Sequence, residues 1–362
     1  MCSSRQGCSD KYLHGCWWLA RNRVKFIWKN PWGDKMKDAG RVVWFNGKLV
    51  PESEAKISIY DSALMFGDMV FEMTRSFNGR QFKLREHINR LYAGIKILRV
   101  PMTLSPDEME KAVHETIEAN QPFFAPDDEH RILIDVTRGL LGLYHDVVGH
   151  EKGTNVIIAD FPLRWTVAGM GRLFDGGINS VITSQRAIPA SLLEPKIKNR
   201  SRMFYMMANI EASAMEGKDN WALLLDPDGF IAEGTGSNFF IVKDGNVITP
   251  EPRNILRGIS RAYILEELCS QLGIKAIEKN IETYDVYTAD EAFLTSTPLC
   301  MLPVTRFNGT PIGSGTVGPV YKRLLKQWSE NAGVDIAAQI KAWNEAHQLN
   351  ADAPTPYRFK GK

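Results

Sequence analysis

The 362-residue chain is 44% hydrophobic and carries 44 Lys plus Arg against 42 Asp plus Glu, a formal net charge of +2. Domains run roughly 100 to 200 residues, so this length suits a two-domain core with extensions. Balanced, interspersed charge argues against a nucleic-acid partner, and the absence of an apolar run of about 18 residues argues against a membrane span, so the expectation is a soluble protein acting on small molecules.

Residues 1–40 read as a separate N-terminal arm. Its first 37 positions hold eight basic residues, the acids Asp10 and Asp34, and four of the nine tryptophans; a targeting segment, a disordered arm and a start upstream of the folded body all fit that balance. Three of the five cysteines, Cys2, Cys8 and Cys16, also lie here, apart from Cys269 and Cys300. An odd, crowded set does not read as a disulfide framework and points to a reducing, cytoplasmic setting. Cys2, Cys8, His14 and Cys16 lack the paired CxxC of zinc sites, so no metal is expected.

Organised sequence begins at Arg41. Val42–Phe45 and residues 48–50 flank Asn46-Gly47, a pair suited to the type I′ turn because both central residues need positive φ. Residues 57–60 read as a strand, and 72–77 with 81–84 as a second hairpin around Asn78-Gly79. Ile88, Leu91, Ile95 and Leu98 recur at helical spacing over 86–100, and Ser105-Pro106 with Glu108 opens another helix. The β-branched runs 132–137 and 155–161 complete a small α+β domain, 41–162, followed by a connector over 163–178. A larger domain, 179–335, alternates strands (180–184, 222–226, 238–242, 276–279, 291–295) with helices (203–216, 260–272, 320–331). Asp228-Gly229, Asp244-Gly245 and Asn308-Gly309 mark tight turns. A helix and a fraying tail, 336–362, finish the chain.

Several residues in the second half could carry chemistry, although each has an ordinary structural role. A lysine such as Lys198 is usually a solvated charge, Arg90 on an amphipathic helix snorkels, Glu233 in Ala-Glu-Gly-Thr-Gly-Ser-Asn sits in a turn, and Ser260 after Gly258-Ile259 caps a helix. Their order is more informative. Glu194-Pro-Lys-Ile-Lys-Asn-Arg-Ser-Arg-Met203, Glu211-Ala212, Phe230-Ile-Ala-Glu-Gly-Thr-Gly-Ser-Asn238, Leu256-Arg-Gly-Ile-Ser-Arg261 and Thr295-Ser-Thr297 follow Glu86-His-Ile-Asn-Arg-Leu91 and precede Gly318-Pro-Val-Tyr-Lys-Arg323. Together these runs resemble the fold-type IV pyridoxal-phosphate enzymes, a family that includes branched-chain and D-amino-acid aminotransferases, (R)-selective amine transaminases and aminodeoxychorismate lyase.

That resemblance implies a two-domain α+β fold, pyridoxal 5′-phosphate as cofactor, and a homodimer that completes its active site across the subunit interface. It makes Lys198, thirteen residues before Glu211, the Schiff-base lysine, with Lys196 as the rival. A lysine suits the role because a desolvated amine is both nucleophile and proton carrier. Glu233 matches the carboxylate on the pyridine nitrogen, and an anion there keeps the ring protonated as an electron sink. Arg90 matches the phosphate-binding arginine, Ile259 and Ser260 the backbone donors at a helix N-terminus, and Thr297 the closing hydroxyl. Ser237 and Asn238 belong to the same cofactor loop. Tyr205 is the candidate partner of the ring oxygen, with a core position on its helix as the competing reading.

For the substrate, Phe71-Glu72-x-x-Arg75 resembles the pocket strand of branched-chain aminotransferases, and Phe66 stands where those enzymes carry Tyr. Arg131 and Arg138 are candidate carboxylate partners, Pro298 borders the pocket, and Phe66, Phe71, Met301 and Leu302 would favour an apolar side chain. The D-amino-acid branch traps its carboxylate with Tyr, Arg and His; Phe71 and Leu143 replace the first two, and His145 remains. The expected activity is transamination between a hydrophobic amino acid and a 2-oxo acid. The alternatives are an (R)-amine or D-amino-acid transaminase and a lyase.

Overall fold

The computed structural model describes residues 40–145 and 153–347. The N-terminal arm with its cysteine-histidine set, and the tail past His347, lie outside the described residues.

Five antiparallel strands form the first sheet. They are β1 (Val42–Phe45), β2 (Lys48–Pro51), β3 (Met69–Met73), β6 (His130–Thr137) and β7 (Asn155–Pro162), in the order β2-β1-β7-β6-β3, while β4 (Ser76–Phe77) and β5 (Arg80–Gln81) make a separate ribbon. Side chains alternate strictly along β6, where Ile132, Ile134 and Val136 are fully buried and pack with Ile88, Leu91 and Ile95 of the Leu84–Leu98 helix and Met109 and Val113 of the Pro106–Asn120 helix. Burying each such aliphatic side chain contributes about 1.5–3 kcal/mol. The same parity turns Arg131 and Asp135 to the opposite face, away from the helices and towards the rest of the molecule.

The second sheet contains β8 (Ile178–Arg186), β9 (Asn220–Leu225), β10 (Ile231–Gly234), β11 (Ser237–Lys243), β12 (Asn246–Thr249), β13 (Ala276–Glu278), β14 (Glu291–Ser296), β15 (Cys300–Phe307) and β16 (Thr310–Pro311). Its order is β10-β9-β8-β15-β14-β11-β12-β13, and β10 also pairs β11. That extra pairing closes six strands on themselves and removes two open edges. Phe239, Phe240, Phe293 and Phe307 are fully buried in the core that surrounds this sheet, and because Phe239 and Phe240 are successive, both faces of β11 are covered. The Met203–Ala214 helix lays Ala208 and Ala212 against the outside of β8 and β9, where the small side chains allow close approach.

The expected strand at 57–60 does not form. Ile59 is 74% exposed, and Asp61 accepts a hydrogen bond from the Ala63 amide at 2.8 Å to cap the Ser62–Phe66 helix, so the segment is spent as a helix lead-in. The second hairpin is shorter than expected because Met69–Met73 pairs with β6 instead. All three Gly-containing turns link strands, and positive φ at Asp244 and Gly245 and at Asn308 and Gly309 shows the turn geometry those pairs favour.

Candidate active site

The lysine segment bridges the two sheets. The Phe71 amide donates to the Lys198 carbonyl at 2.9 Å, and Val70 forms an antiparallel bridge with Asn199, so the lysine lies beside the edge of β3. The chain then bends at Arg200, whose carbonyl accepts from the Arg202 amide at 2.8 Å. Lys198, Arg200 and Arg202 all stand over the ring of Phe71, at 4.7, 3.7 and 5.2 Å from its centroid.

A cleft behind Lys198 is lined jointly by Arg90, Tyr205, Glu233, Ser237, Asn238, Ile259, Ser260 and Thr297. At one end lies Glu233, which accepts from the Tyr205 hydroxyl at 2.6 Å, from Asn238 Nδ2 at 3.2 Å and from the Leu256 amide at 3.1 Å. Burial raises its pKa against those donors and Arg202, which makes it a strong hydrogen-bond acceptor for a ring nitrogen. Tyr205 takes the core position that was its competing reading, in the buried stripe with Ala208 and Ala212, and its hydroxyl is spent on the Glu233 carboxylate instead of being left for a ring oxygen.

At the other end, Arg90 makes two hydrogen bonds to the fully buried Glu72, at 2.6 and 2.8 Å, and one to the Arg257 carbonyl. His87 Nδ1 lies 2.8 Å from the same carboxylate. Burial would raise the Glu72 pKa, but the Arg90 charge and His87 outweigh it and hold the group ionised well below the carboxylate range. Arg90 is thereby aimed at the start of the helical run that opens at Ile259, where Gly258 is the N-cap and no side chain caps the amides. A Cβ on Gly258 would collide with Asn238 Oδ1, so only glycine brings the helix start this close to the Glu233 loop.

Between the two ends, burial and the charges of Arg202 and Arg90 push the Lys198 amine well below the ordinary lysine range. A neutral amine therefore faces an anion on one side and an anion-binding pair of arginine and helix start on the other. This donor set fits a phosphorylated pyridine aldehyde. Lys196 does not share it: its amine binds Glu194 at 2.6 Å and the Arg253 carbonyl at 2.9 Å.

In front of Lys198 opens a chamber of about 500 Å³, lined by Phe71, Met73, Met170, Met206, Trp221 and Leu299 among apolar residues and by Arg131, Arg200 and Arg202. Arg131 meets no carboxylate among the described residues; it lies against the Met73 sulfur at 3.4 Å and the Phe161 ring, and burial, with repulsion from Arg200 and Arg75, pushes its pKa down to about 10. Arg200 pairs with Asp135 at 3.2 Å. Pro298 also borders the chamber.

Six residues expected at the substrate are elsewhere. Phe66 ends its short helix 65% exposed. Arg75 is buried beneath the β14–β15 turn and donates to the Pro298 carbonyl, to Cys300 Sγ and to Gln339 Oε1, so it buttresses the turn instead of lining the cavity. His145 spends Nε2 on the Leu140 carbonyl at 2.9 Å. Arg138 is likewise committed, to Asp68 and the carbonyls of Leu98 and Arg99. Met301 and Leu302 are core. Conversely, Glu72 stands in the sequence only as part of the pocket motif, without its bond to Arg90, and Arg200 and Arg202 only as part of the lysine run; the alternation of basic residues at 198, 200 and 202 is the signal for them.

Fold and site together define a fold-type IV pyridoxal-phosphate enzyme. The amino-transferase class IV family model matches residues 69–307. A putative branched-chain-amino-acid aminotransferase from Methanocaldococcus jannaschii is 36% identical over 291 residues, 80% of this chain and 95% of that protein. The branched-chain-amino-acid aminotransferase of Escherichia coli K12 is 32% identical over 314 residues, 85% of this chain and 97% of its own. Among solved structures, the branched-chain amino acid aminotransferase from Thermobaculum terrenum in its PLP form superposes with a TM-score of 0.69 at 26% identity, covering 84% of this chain and 97% of that one. The chain therefore belongs to the class IV aminotransferases.

Proposed function

We propose that the chain moves an amino group between a hydrophobic, branched-chain-like amino acid and a 2-oxo acid, with Lys198 as the catalytic residue. The observation that carries this reading is the convergence of Lys198, Glu233 and Arg90 on one cleft that opens into an apolar chamber studded with arginines. Bound there, pyridoxal 5′-phosphate supplies an aldehyde that links to amines and a ring that draws electrons from the amine-bearing carbon.

The protein's own residues do the rest. Glu233 holds a proton at the ring nitrogen, and its hydrogen bonds from Tyr205, Asn238 and Leu256 fix its orientation. Lys198, neutral because it is buried among cations, takes a proton from the substrate carbon and returns it. Arg90, the Ile259 and Ser260 amides, Ser237 and Thr297 hold the phosphate. Phe71, Met73 and Trp221 receive an aliphatic side chain, and Arg131 receives a carboxylate.

The reading includes a homodimer, supported by the exposed apolar side chains of Ile59, Leu64, Met65, Phe66 and Leu143. It divides the chain into a small domain, 41–162, and a cofactor-binding domain, 179–335, joined by 163–178; each sheet has its own apolar core. Cytoplasmic residence is supported by Cys269 and Cys300, both buried free thiols. No described helix is long and apolar enough to cross a membrane. The D-amino-acid alternative loses its last residue with His145 turned to Leu140.

The test is the absorbance spectrum of the protein loaded with pyridoxal phosphate, followed by L-amino acids, D-amino acids and chiral amines in turn. Bleaching of the visible band by L-leucine, L-isoleucine or L-valine, with matching keto acid, is expected. Bleaching by D-amino acids or amines alone, or pyruvate release without an acceptor, would overturn the reading.

A further inference from the structure

We propose that Arg202 is the residue that faces the ring oxygen of the cofactor, a cation standing where a hydroxyl was expected. The inference rests on the transaminase reading and adds a contact to it.

A 3-hydroxypyridine with a 4-aldehyde and a 5-phosphomethyl arm presents three edges. Glu233 takes the nitrogen. Arg90, Ile259, Ser260 and Thr297 occupy the phosphate side. The oxygen lies on the remaining edge, next to the carbon that Lys198 reaches and away from the phosphate. Only two polar side chains line both the cleft around Lys198 and the small adjoining cavity behind it without belonging to the phosphate group or to the nitrogen's carboxylate, and these are Arg202 and Tyr205.

Tyr205 is already committed: its hydroxyl donates to Glu233 at 2.6 Å. Arg202 is not. Its guanidinium carbon sits 5.1 Å over the Tyr205 ring and 5.2 Å over the Phe71 ring, and it forms no ion pair or side-chain hydrogen bond among the described residues. It is half-buried, and it borders the chamber and both cavities. Like the Lys198 amine, it stands over the Phe71 ring. A guanidinium held over two aromatic faces keeps its N–H edge free for an anionic oxygen. Besides the Lys198 nitrogen that titrates, the charged and titratable groups facing this place are Arg90, whose charge opposes protonation, and Glu72, Glu233 and Tyr205, with Arg131 and Arg200 farther out in the chamber.

A cation at the ring oxygen favours the form of the cofactor linkage that has lost its proton, so it lowers the pH at which the visible band titrates. The test is that titration on the loaded protein, without substrate. Arg202→Gln should raise the midpoint by about one pH unit or more, as expected for removal of a unit charge at contact range, and Arg202→Lys should fall between the two. Arg131→Gln is the control for the summed charge of the chamber and should move the midpoint by less than half as much. An unchanged midpoint in Arg202→Gln, or an equal shift in Arg131→Gln, overturns the assignment. If Arg202→Gln fails to hold the cofactor, Arg202→Lys decides alone, and a wild-type midpoint with a raised KM for the acceptor acid places Arg202 on the substrate and overturns it too. A wild-type protein with no visible band would instead sink the transaminase reading itself.

Discussion

In the cleft behind Lys198 the charged groups arrive with partners: Arg90 with Glu72, Glu72 with His87, and Glu233 with Tyr205, Asn238 and the Leu256 amide. In the chamber before it, Arg131 has no carboxylate of its own among the described residues, and Arg200 has only Asp135, on β6. The first arrangement stabilises the fold whether or not a ligand is present and sets donors in place beforehand. The second leaves positive charge for a substrate to neutralise. A cofactor that stays can be matched by fixed pairs, whereas acids that come and go are better met by cations whose partner is the acid itself.

Removing the amine that stands between the two regions should have the largest effect. Lys198→Ala is expected to lower the rate of keto-acid formation by about a thousandfold or more while leaving the circular-dichroism melt close to wild type; a variant that still turns over, beside an inactive Lys196→Ala, would move the role by two positions.

Glu72→Gln would turn the paired wall into an unpaired one. Stranding Arg90 and His87 beside a neutral amide should cost about 3 kcal/mol of stability, read from urea unfolding at pH 7. The unfolded Glu72 carboxyl binds its proton in the ordinary carboxylate range and the folded one only at lower pH. Between those values the unfolded state holds more protons, so the stabilisation is complete above that range and drains as pH falls through it. The gap between wild type and Glu72→Gln should therefore narrow in acid, and a constant gap would show that the pair does not carry it.

A smaller change is expected from the unpaired wall. Arg131→Met should raise KM for a dicarboxylic acceptor by about tenfold, at little cost to kcat for an aliphatic donor, because one charge-assisted contact is lost. Equal losses for both substrates would remove Arg131 from carboxylate binding. His145→Ala should be the mildest, within about twofold of wild type in steady-state assays with every donor class, since among the described residues its imidazole meets the Leu140 carbonyl and no site residue.

The cleft was largely legible in the sequence because its residues sit on short runs whose backbone shape their own chemistry dictates. Gly258 before a helix start and the Gly-Thr-Gly-Ser-Asn loop after Glu233 announce themselves locally, as do the Asn-Gly and Asp-Gly turns. Ser105 with Glu108 likewise announces the capping box that forms. The chamber was less legible, because membership there depends on which face a side chain takes after long-range pairing. Arg75 and Arg131 read alike as arginines beside apolar strands; only the register of β6 and the burial of the β14–β15 turn send Arg131 into the cavity and Arg75 beneath it. Phe66 failed for the same reason. The carboxylate of Glu72 was visible as part of a motif, but its bond to Arg90, 18 positions on, requires the strand and helix to meet. The absent strand at 57–60 shows a local signal, the Asp61 cap, overriding β-branched composition.

Arg75 carries one further implication. A single guanidinium, 1% exposed, fastens the end of β3 to the Pro298 carbonyl and to Gln339 in the Ile336–His347 helix, so three stretches far apart in the chain meet at one buried charge. Ending the polypeptide before Ile336 would take away Gln339 and the Trp343 ring that stacks near Arg164, exposing that charge and loosening the turn that carries Thr297. The Ile336–His347 helix thus braces from a distance the turn that carries Thr297, and trimming it should register first as weaker retention of the cofactor.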